Sequence, residues 1–227
     1  MTDLEEKPLP PLDLGLLKAS ASEFVHGLSG RPLHELFGVT DGKAVGTYVE
    51  SNFHEHLASR YAYVTGNAAS GIDFPELTVD LKVTSVRQPQ SSSPFRDAAQ
   101  KVYGLGYHLL LFVYEKVDDR SSQTTALNFM HAVFIPGERT ADYQTTTGIT
   151  QILERGGNVD DVDAFLEERN LPLDEIGRRN LAERIVESPP AIGYLTVSNA
   201  LQWRLQYGRV VQLVQSGGGE GLENLLT

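Results

Sequence analysis

Apolar residues recur at intervals of four along one early stretch of the chain and at intervals of two along another. After the turn Asp41-Gly42, the residues Val45, Val49, Phe53 and Leu57 mark one stripe of a helix expected over residues 43–61. An earlier helix is expected over residues 13–28, stopping near Gly30. Leu77, Val79, Leu81 and Val83 alternate with polar neighbours, which predicts a strand over residues 77–84. A shorter strand over residues 72–74 precedes it, joined by a turn at Pro75-Glu76. Residues 66–71 and 88–93 read as polar loops, and Pro94 opens a helix expected to run to about Tyr103, broken by Gly104 and Gly106. Strands are expected over residues 107–116 and 127–135, with a turn over 118–123 between them. Residues 147–187 read as helical, with Asn170-Leu171-Pro172 as punctuation and Thr145-Thr146-Thr147 as a cap. A short strand is expected over 194–197, and residues 199–214 read as a helix followed by a strand, divided at Gly208.

This order predicts an α/β protein: a mixed β-sheet flanked by helices, with an added helical segment. The divisions expected are a mobile arm over 1–14, a core over 15–146, a helical subdomain over 147–190, a further core part over 191–215 and a flexible tail over 216–227.

Composition narrows the chemistry. The chain has 227 residues, 41% of them apolar, and no cysteine, which excludes disulfides, thiolate metal sites and a cysteine nucleophile. Its longest apolar run, residues 109–114, is far short of the roughly 18 residues of a membrane span. With an acidic start, Met1-Thr2-Asp3-Leu4-Glu5-Glu6, the expected location is the cytoplasm. The net charge is −11, unfavourable for a phosphate-rich partner if spread evenly. It is not spread evenly. Residues 152–190 hold ten acids and five bases, whereas 82–104 hold Lys82, Arg87, Arg96 and Lys101 against Asp97 alone, and 191–215 hold Arg204 and Arg209 with no acid.

The segment around Asp73 and Asp80 carries the chemistry. On the expected strand, Asp80 and Lys82 share the face opposite the apolar one, and the turn at Pro75 folds Asp73 back towards Asp80. Two carboxylates with an ammonium suit a hard divalent cation such as Mg²⁺, with Mn²⁺ as a substitute and the Leu81 carbonyl as a further oxygen. Such an ion polarises a phosphoryl oxygen and acidifies a water that Lys82 holds or helps deprotonate, which is the logic of phosphodiester hydrolysis. The same pattern also suits a cross-strand ion pair on a solvated face. Glu50 shares a helix face with Gly46, Phe53 and Leu57, and an acid there needs a partner. It either joins the carboxylates, directly or through water, or pairs with an arginine such as Arg60. Glu55 lies on the polar face. His54-Glu55-His56 lacks zinc-protease spacing and reads as polar helix surface.

Asp73, six residues, Asp80, one residue, Lys82, with Glu50 on the preceding helix, resembles the PD-(D/E)XK nuclease superfamily. The layout is closest to MutH-like repair nickases and the related type II restriction endonucleases. Gly46 four residues before Glu50, and Leu28-Ser29-Gly30-Arg31-Pro32-Leu33-His34-Glu35-Leu36, resemble that group's opening segments. The resemblance covers about residues 28–116. It implies a restriction-endonuclease-like core, Mg²⁺ and double-stranded DNA as substrate, with Asp73, Asp80, Lys82 and Glu50 as the catalytic set. Asp80 stands where the nickases have glutamate, the Glu50-to-Asp73 gap is longer, and residues 147–190 have no counterpart. These departures favour a sequence-specific restriction endonuclease over a repair nickase, and the intact trio of Asp73, Asp80 and Lys82 argues against a non-cleaving DNA-binding module.

DNA contacts are then expected from Arg87, Gln88, Gln90, Ser91, Ser92, Ser93, Arg96 and Lys101, and from Gln202, Arg204, Gln206 and Arg209. Arginine suits guanine edges and glutamine suits adenine edges. The 88–93 loop could hold a phosphate at the following helix start, or it is simply a flexible polar loop. Trp203 and Tyr207, if helical, face the core. Cutting both strands of a duplex favours a homodimer.

Overall fold

Aspartate side chains cap the first two helices. In the computed structural model, which describes residues 8–66, 71–93, 96–198 and 203–226, Asp13 accepts from the Leu16 amide at the start of α1 (Leu14–Leu28). Asp41 accepts from the Lys43 amide at the start of α2 (Gly42–Ala58). Each cap satisfies an amide that the first helical turn leaves without a partner. The strand β1 (Val79–Ser85) follows, then β2 (Gln90–Ser93), the one-turn helix α3 (Gln100–Tyr103), β3 (His108–Asp119) and β4 (Thr124–Ile135). The helices α4 (Tyr143–Glu154), α5 (Val159–Glu168) and α6 (Glu175–Glu187) come next, then β5 (Thr196–Val197), β6 (Trp203–Gln206), α7 (Gly208–Gln215) and β7 (Glu223–Asn224). The protein is α/β, as its hydrophobic pattern indicates.

These elements form two compact units, each discontinuous in sequence. The first comprises the chain up to Arg87, Leu110–Phe134 and the segment from Asn224. Its sheet has the order β1-β3-β4-β7. Leu17, Phe24, Val49, Phe53, Phe74, Val79, Phe112 and Leu127 pack together in its core. Phe53 is the hub, with ring centroids 5.1 Å from Phe24, 5.5 Å from Phe112 and 6.2 Å from Phe74.

The second unit comprises Gln88–Leu109 and Ile135–Glu223. Val102, Ile149, Val162, Leu166, Leu181 and Ile185 form its helical core, and β2-β6-β5 is its sheet. The expected boundaries at 146 and 190 therefore do not mark compact units, because helices α4 to α6 share one unit with residues on both sides of them.

Five local expectations are corrected. The arm is anchored at its inner end: the Leu12 amide donates to the Ala62 carbonyl and the Ala62 amide to that of Pro10. The tail is likewise held, since the Leu225 amide donates to the Ala132 carbonyl and the Ser22 hydroxyl to that of Leu225. Residues 90–93 form a strand rather than a loop, paired antiparallel with β6. The Thr145–Thr147 run lies inside α4, whose cap is buried Asp142, bonded to the Thr145 amide and hydroxyl. Beyond residue 203 the order is strand then helix. Arg204 and Gln206 are exposed while Leu205 and Tyr207 are buried, an alternation that marks a strand. The helix start expected at Pro94 lies outside the described residues.

Truncating the core hub should be costly. Phe53→Ala is expected to destabilise the fold by about 3–5 kcal/mol, whereas exposed Ser51→Ala should stay within about 0.5 kcal/mol. Urea denaturation measures both, and a Phe53→Ala loss no larger than the Ser51→Ala loss would contradict the packing described.

Candidate active site

The site begins with a tight backbone return. Pro75–Leu77 forms a 3₁₀ turn, and Thr78 follows in the left-handed conformation at φ 55°. A threonine rarely adopts that conformation, because its Cβ crowds the backbone. The turn places Phe74 opposite Val79, and each amide donates to the other's carbonyl, at 2.9 and 3.2 Å. One step outward, Asp73 then faces Asp80, and side chains at directly opposed positions share a face. The expected approach of the two carboxyls is present, through a 3₁₀ turn and a single bridge rather than two regular strands.

Asp73 Oδ2 accepts from the Leu81 amide at 2.7 Å. Asp73 lies beside Asp80 and favours the protonated form of the Asp80 carboxyl. Lys82 Nζ lies 2.7 Å from Asp80 Oδ2. That oxygen is buried and receives no well-directed hydrogen bond, so the contact with Lys82 is an ion pair by proximity. Asp80 is only 3% exposed. The strand face expected to be solvated is thus closed over at this residue, and the simple surface ion pair does not describe it.

Burial pushes the Asp80 carboxyl up to about 7, with neighbouring Asp73 adding to the rise and Lys82 opposing it. Glu50 is half-buried on α2, and its carboxyl is raised first by burial and then by the charge of Asp73, with Lys82 opposing. Glu50 therefore joins the carboxylates, and Arg60 instead pairs with Glu23. Glu55 is exposed, as its helical phase implied.

One residue in the cluster was read differently from the sequence. His54, assigned there to polar surface, lies one helical turn beyond Glu50. Glu50, His54 and Asp73 each offer a ligand atom within 4.8 Å of one another. The histidine ring stacks on Phe74 at 5.1 Å, and its Nδ1 lies 2.9 Å from the Tyr63 hydroxyl. Burial lowers the imidazole's affinity for a proton, and Asp73 opposes that effect. The i,i+4 spacing from Glu50 was the available signal.

The charge balance of the cluster decides what fits it. Three carboxyl groups converge with Lys82 as their cationic neighbour, and an oxygen of the most buried one lacks a directed donor. Such a set accommodates a divalent cation, because oxygen ligands in excess of positive charge are what a hard ion requires.

The other expected contacts separate into outward and inward sets. Arg87, Gln88, Ser92, Arg96, Arg204 and Gln206 are exposed, and Gln90 is half-buried. The strand register pairs Gln90 with Gln206 and Ser92 with Arg204, so two segments chosen independently along the chain are direct partners. Ser91 and Ser93 turn inward, bonded to the hydroxyls of Tyr207 at 2.5 Å and Tyr107 at 3.2 Å. Lys101 is 3% exposed, with burial lowering its pKa and Asp142 opposing. Arg209 lies over the Tyr143 ring at 3.4 Å. Ser93 and Lys101 are buried, which removes them from the surface expected to meet DNA, while half-buried Ser91 and Arg209 are engaged within their own unit. Gln202 lies outside the described residues.

The raised Asp80 carboxyl has a consequence for stability. A carboxyl with a folded-state pKa near 7 against an ordinary 3.8 favours folding while protonated. That contribution is full below about pH 4 and is lost as pH rises to about 7. Metal-free protein should therefore lose stability across this window, and Asp80→Asn should remove about 2–4 kcal/mol of the pH dependence. Denaturant titrations at several pH values measure it; an unchanged dependence in Asp80→Asn would contradict the assignment.

Comparison with known proteins gives a family. A model described as Type II restriction enzyme NspV matches residues 11–224. The Type II restriction enzyme NspV of Nostoc sp. is 53% identical over 211 residues, covering 93% of this chain and 95% of that protein. No solved structure matches the chain. At that identity and coverage, the chain belongs to the NspV family of type II restriction enzymes.

Proposed function

We propose that this protein is a Mg²⁺-dependent, sequence-specific endonuclease that hydrolyses phosphodiester bonds in double-stranded DNA through a PD-(D/E)XK site on a restriction-endonuclease-like core. The observation that carries this reading is the convergence of Glu50, Asp73, Asp80 and Lys82 at the Phe74–Val79 return, on a chain 53% identical to a type II restriction enzyme. Asp73 and Asp80 would hold the cation, with Glu50 directly or through water and the Leu81 carbonyl as a further oxygen, and Mn²⁺ would substitute. When bound, Mg²⁺ neutralises charge developing on a phosphoryl oxygen and acidifies a water. The protein's own part is positional. Asp80 holds Lys82 by its ammonium, and Lys82 orients the attacking water and helps remove its proton. Asp73 is held by the Leu81 amide, so its carboxylate cannot swing away from the site.

Sequence reading belongs to the outer face of the β2-β6 pair. Antiparallel strands of this kind fit a major groove. Arg204 is suited to a guanine edge and Gln206 to an adenine edge, with Gln90 and Ser92 beside them in register. Arg87, Gln88 and Arg96 supply phosphate contacts. We place the protein in the cytoplasm as a homodimer, one active site for each strand of the duplex. Among the described residues, no helix is long and apolar enough to cross a membrane.

Asp80→Ala or Lys82→Ala should lower cleavage at least about a thousandfold while the circular dichroism spectrum is retained. Because the Asp80 carboxyl is ionised above about pH 7, Asp80→Ala removes negative charge there, and DNA binding without metal should tighten in that range. Glu50→Gln should impair cleavage severely and Glu55→Gln little. Discrete fragments from long DNA with Mg²⁺ are the assay, and full cleavage by either Asp80→Ala or Lys82→Ala would refute the site.

For DNA reading, Arg204→Ala should cost about 1–3 kcal/mol of specific binding and relax discrimination at a guanine. Charge reversal at Arg178, which is paired with Asp163 on the acidic helices, should leave the salt dependence of binding unchanged. Equal losses on specific and random duplexes in Arg204→Ala would reassign that residue to the phosphate backbone.

A further inference from the structure

We propose that His54 is a nitrogen ligand of the cation held at Glu50 and Asp73, and that Tyr63 is the positioning residue that fixes its tautomer. The inference rests on the metal-site reading above and adds to it a donor of a different chemical class.

Three observations carry it. First, Glu50 and His54 are one turn apart on α2 and face Asp73, with all three ligand atoms inside a 4.8 Å circle. Second, the imidazole is fixed in place. Its ring packs against Phe74, at 5.1 Å and 28°, and Tyr63, at 6.0 Å and 15°, two rings that also contact each other at 5.8 Å. Third, the hydrogen bonding at Nδ1 is compatible with the tautomer that binds a metal. The Tyr63 hydroxyl has one hydrogen, and the His54 backbone carbonyl, 3.2 Å away, can accept it. In that arrangement the phenolic oxygen accepts from Nδ1–H at 2.9 Å. With the proton on Nδ1, Nε2 carries the free lone pair, which is the form that binds a metal. A ligating histidine whose other nitrogen donates to an outer partner is the usual arrangement, and loss of that partner typically costs about 10–100-fold in affinity.

A nitrogen donor changes which ion the site prefers. Mg²⁺ favours oxygen, whereas imidazole adds more to the binding of Mn²⁺ and later transition ions. The site should therefore bind Mn²⁺ more tightly than Mg²⁺, and His54→Gln, which offers oxygen instead, should narrow that preference. His56, which contacts Glu23 and Arg60 on another part of α2, is the control.

The test uses the full chain and Mn²⁺ alone, without DNA or turnover. Pulsed electron paramagnetic resonance of bound Mn²⁺ should show a nitrogen coupling in the wild-type protein. It should persist in His56→Ala and vanish in His54→Gln while Mn²⁺ still binds. Tyr63→Phe, which keeps the aromatic packing, should weaken Mn²⁺ binding about tenfold. Bound Mn²⁺ with no nitrogen coupling in the wild type overturns the role of His54 and leaves the carboxylate site standing. A coupling that survives in His54→Gln also overturns it. Failure of the wild type to bind Mn²⁺ at all overturns both the inference and the metal-site reading beneath it.

Discussion

A carboxyl group that water cannot reach must keep its proton, find a cation or unfold its surroundings. Asp80 is in that position. The bridge between Phe74 and Val79 sets Asp73 against it, and α2 brings Glu50 to the same place. Lys82 offsets part of the resulting repulsion, and a proton on Asp80 offsets more. The surrounding elements are arranged around this conflict: Phe53 fixes α2, and the left-handed Thr78 makes the return tight enough for the carboxyls to meet. Stability in the metal-free state is exchanged here for a set of ligands already in place.

The second unit is organised on a different principle. Asp142 caps α4 and also accepts from the Val197 amide at 2.8 Å, so one buried carboxylate ties the helices to the small sheet. Its inward positions, Ser91, Ser93, Leu205 and Tyr207, fill the interior of that unit. The outward ones, Ser92, Arg204 and Gln206, remain polar and exposed. Cleavage chemistry and base reading are thereby proposed for separate sets of residues, which allows recognition to vary without disturbing the carboxylates.

Much of the first unit was legible from spacing alone. Intervals of four in Val45, Val49, Phe53 and Leu57 located α2 and the phase of Glu50, and alternation located β1. Asp80 was harder, because alternation assigns a side but not whether that side is covered. His54 was missed since its pairing with His56 was weighed against zinc spacing, while its partners, Glu50 and Asp73, belong to a turn and a tertiary contact. Lys101 shows the limit of charge counting: a basic stretch in sequence says nothing of which ammonium a core encloses. The β2-β6 pairing joins residues more than a hundred positions apart, and the polar β2 shows no hydrophobic stripe. Residues 90–93 therefore read as a loop, and the alternation of Arg204, Leu205, Gln206 and Tyr207 was masked by its aromatic and basic composition.

The central claim is that the buried carboxyls hold a proton which a divalent cation replaces. Calorimetric titration of Mn²⁺ into metal-free protein near pH 6, in two buffers of different ionisation enthalpy, measures this directly. The account predicts release of about one proton per ion bound, and much less in Asp80→Asn. Binding whose heat is the same in both buffers would contradict it.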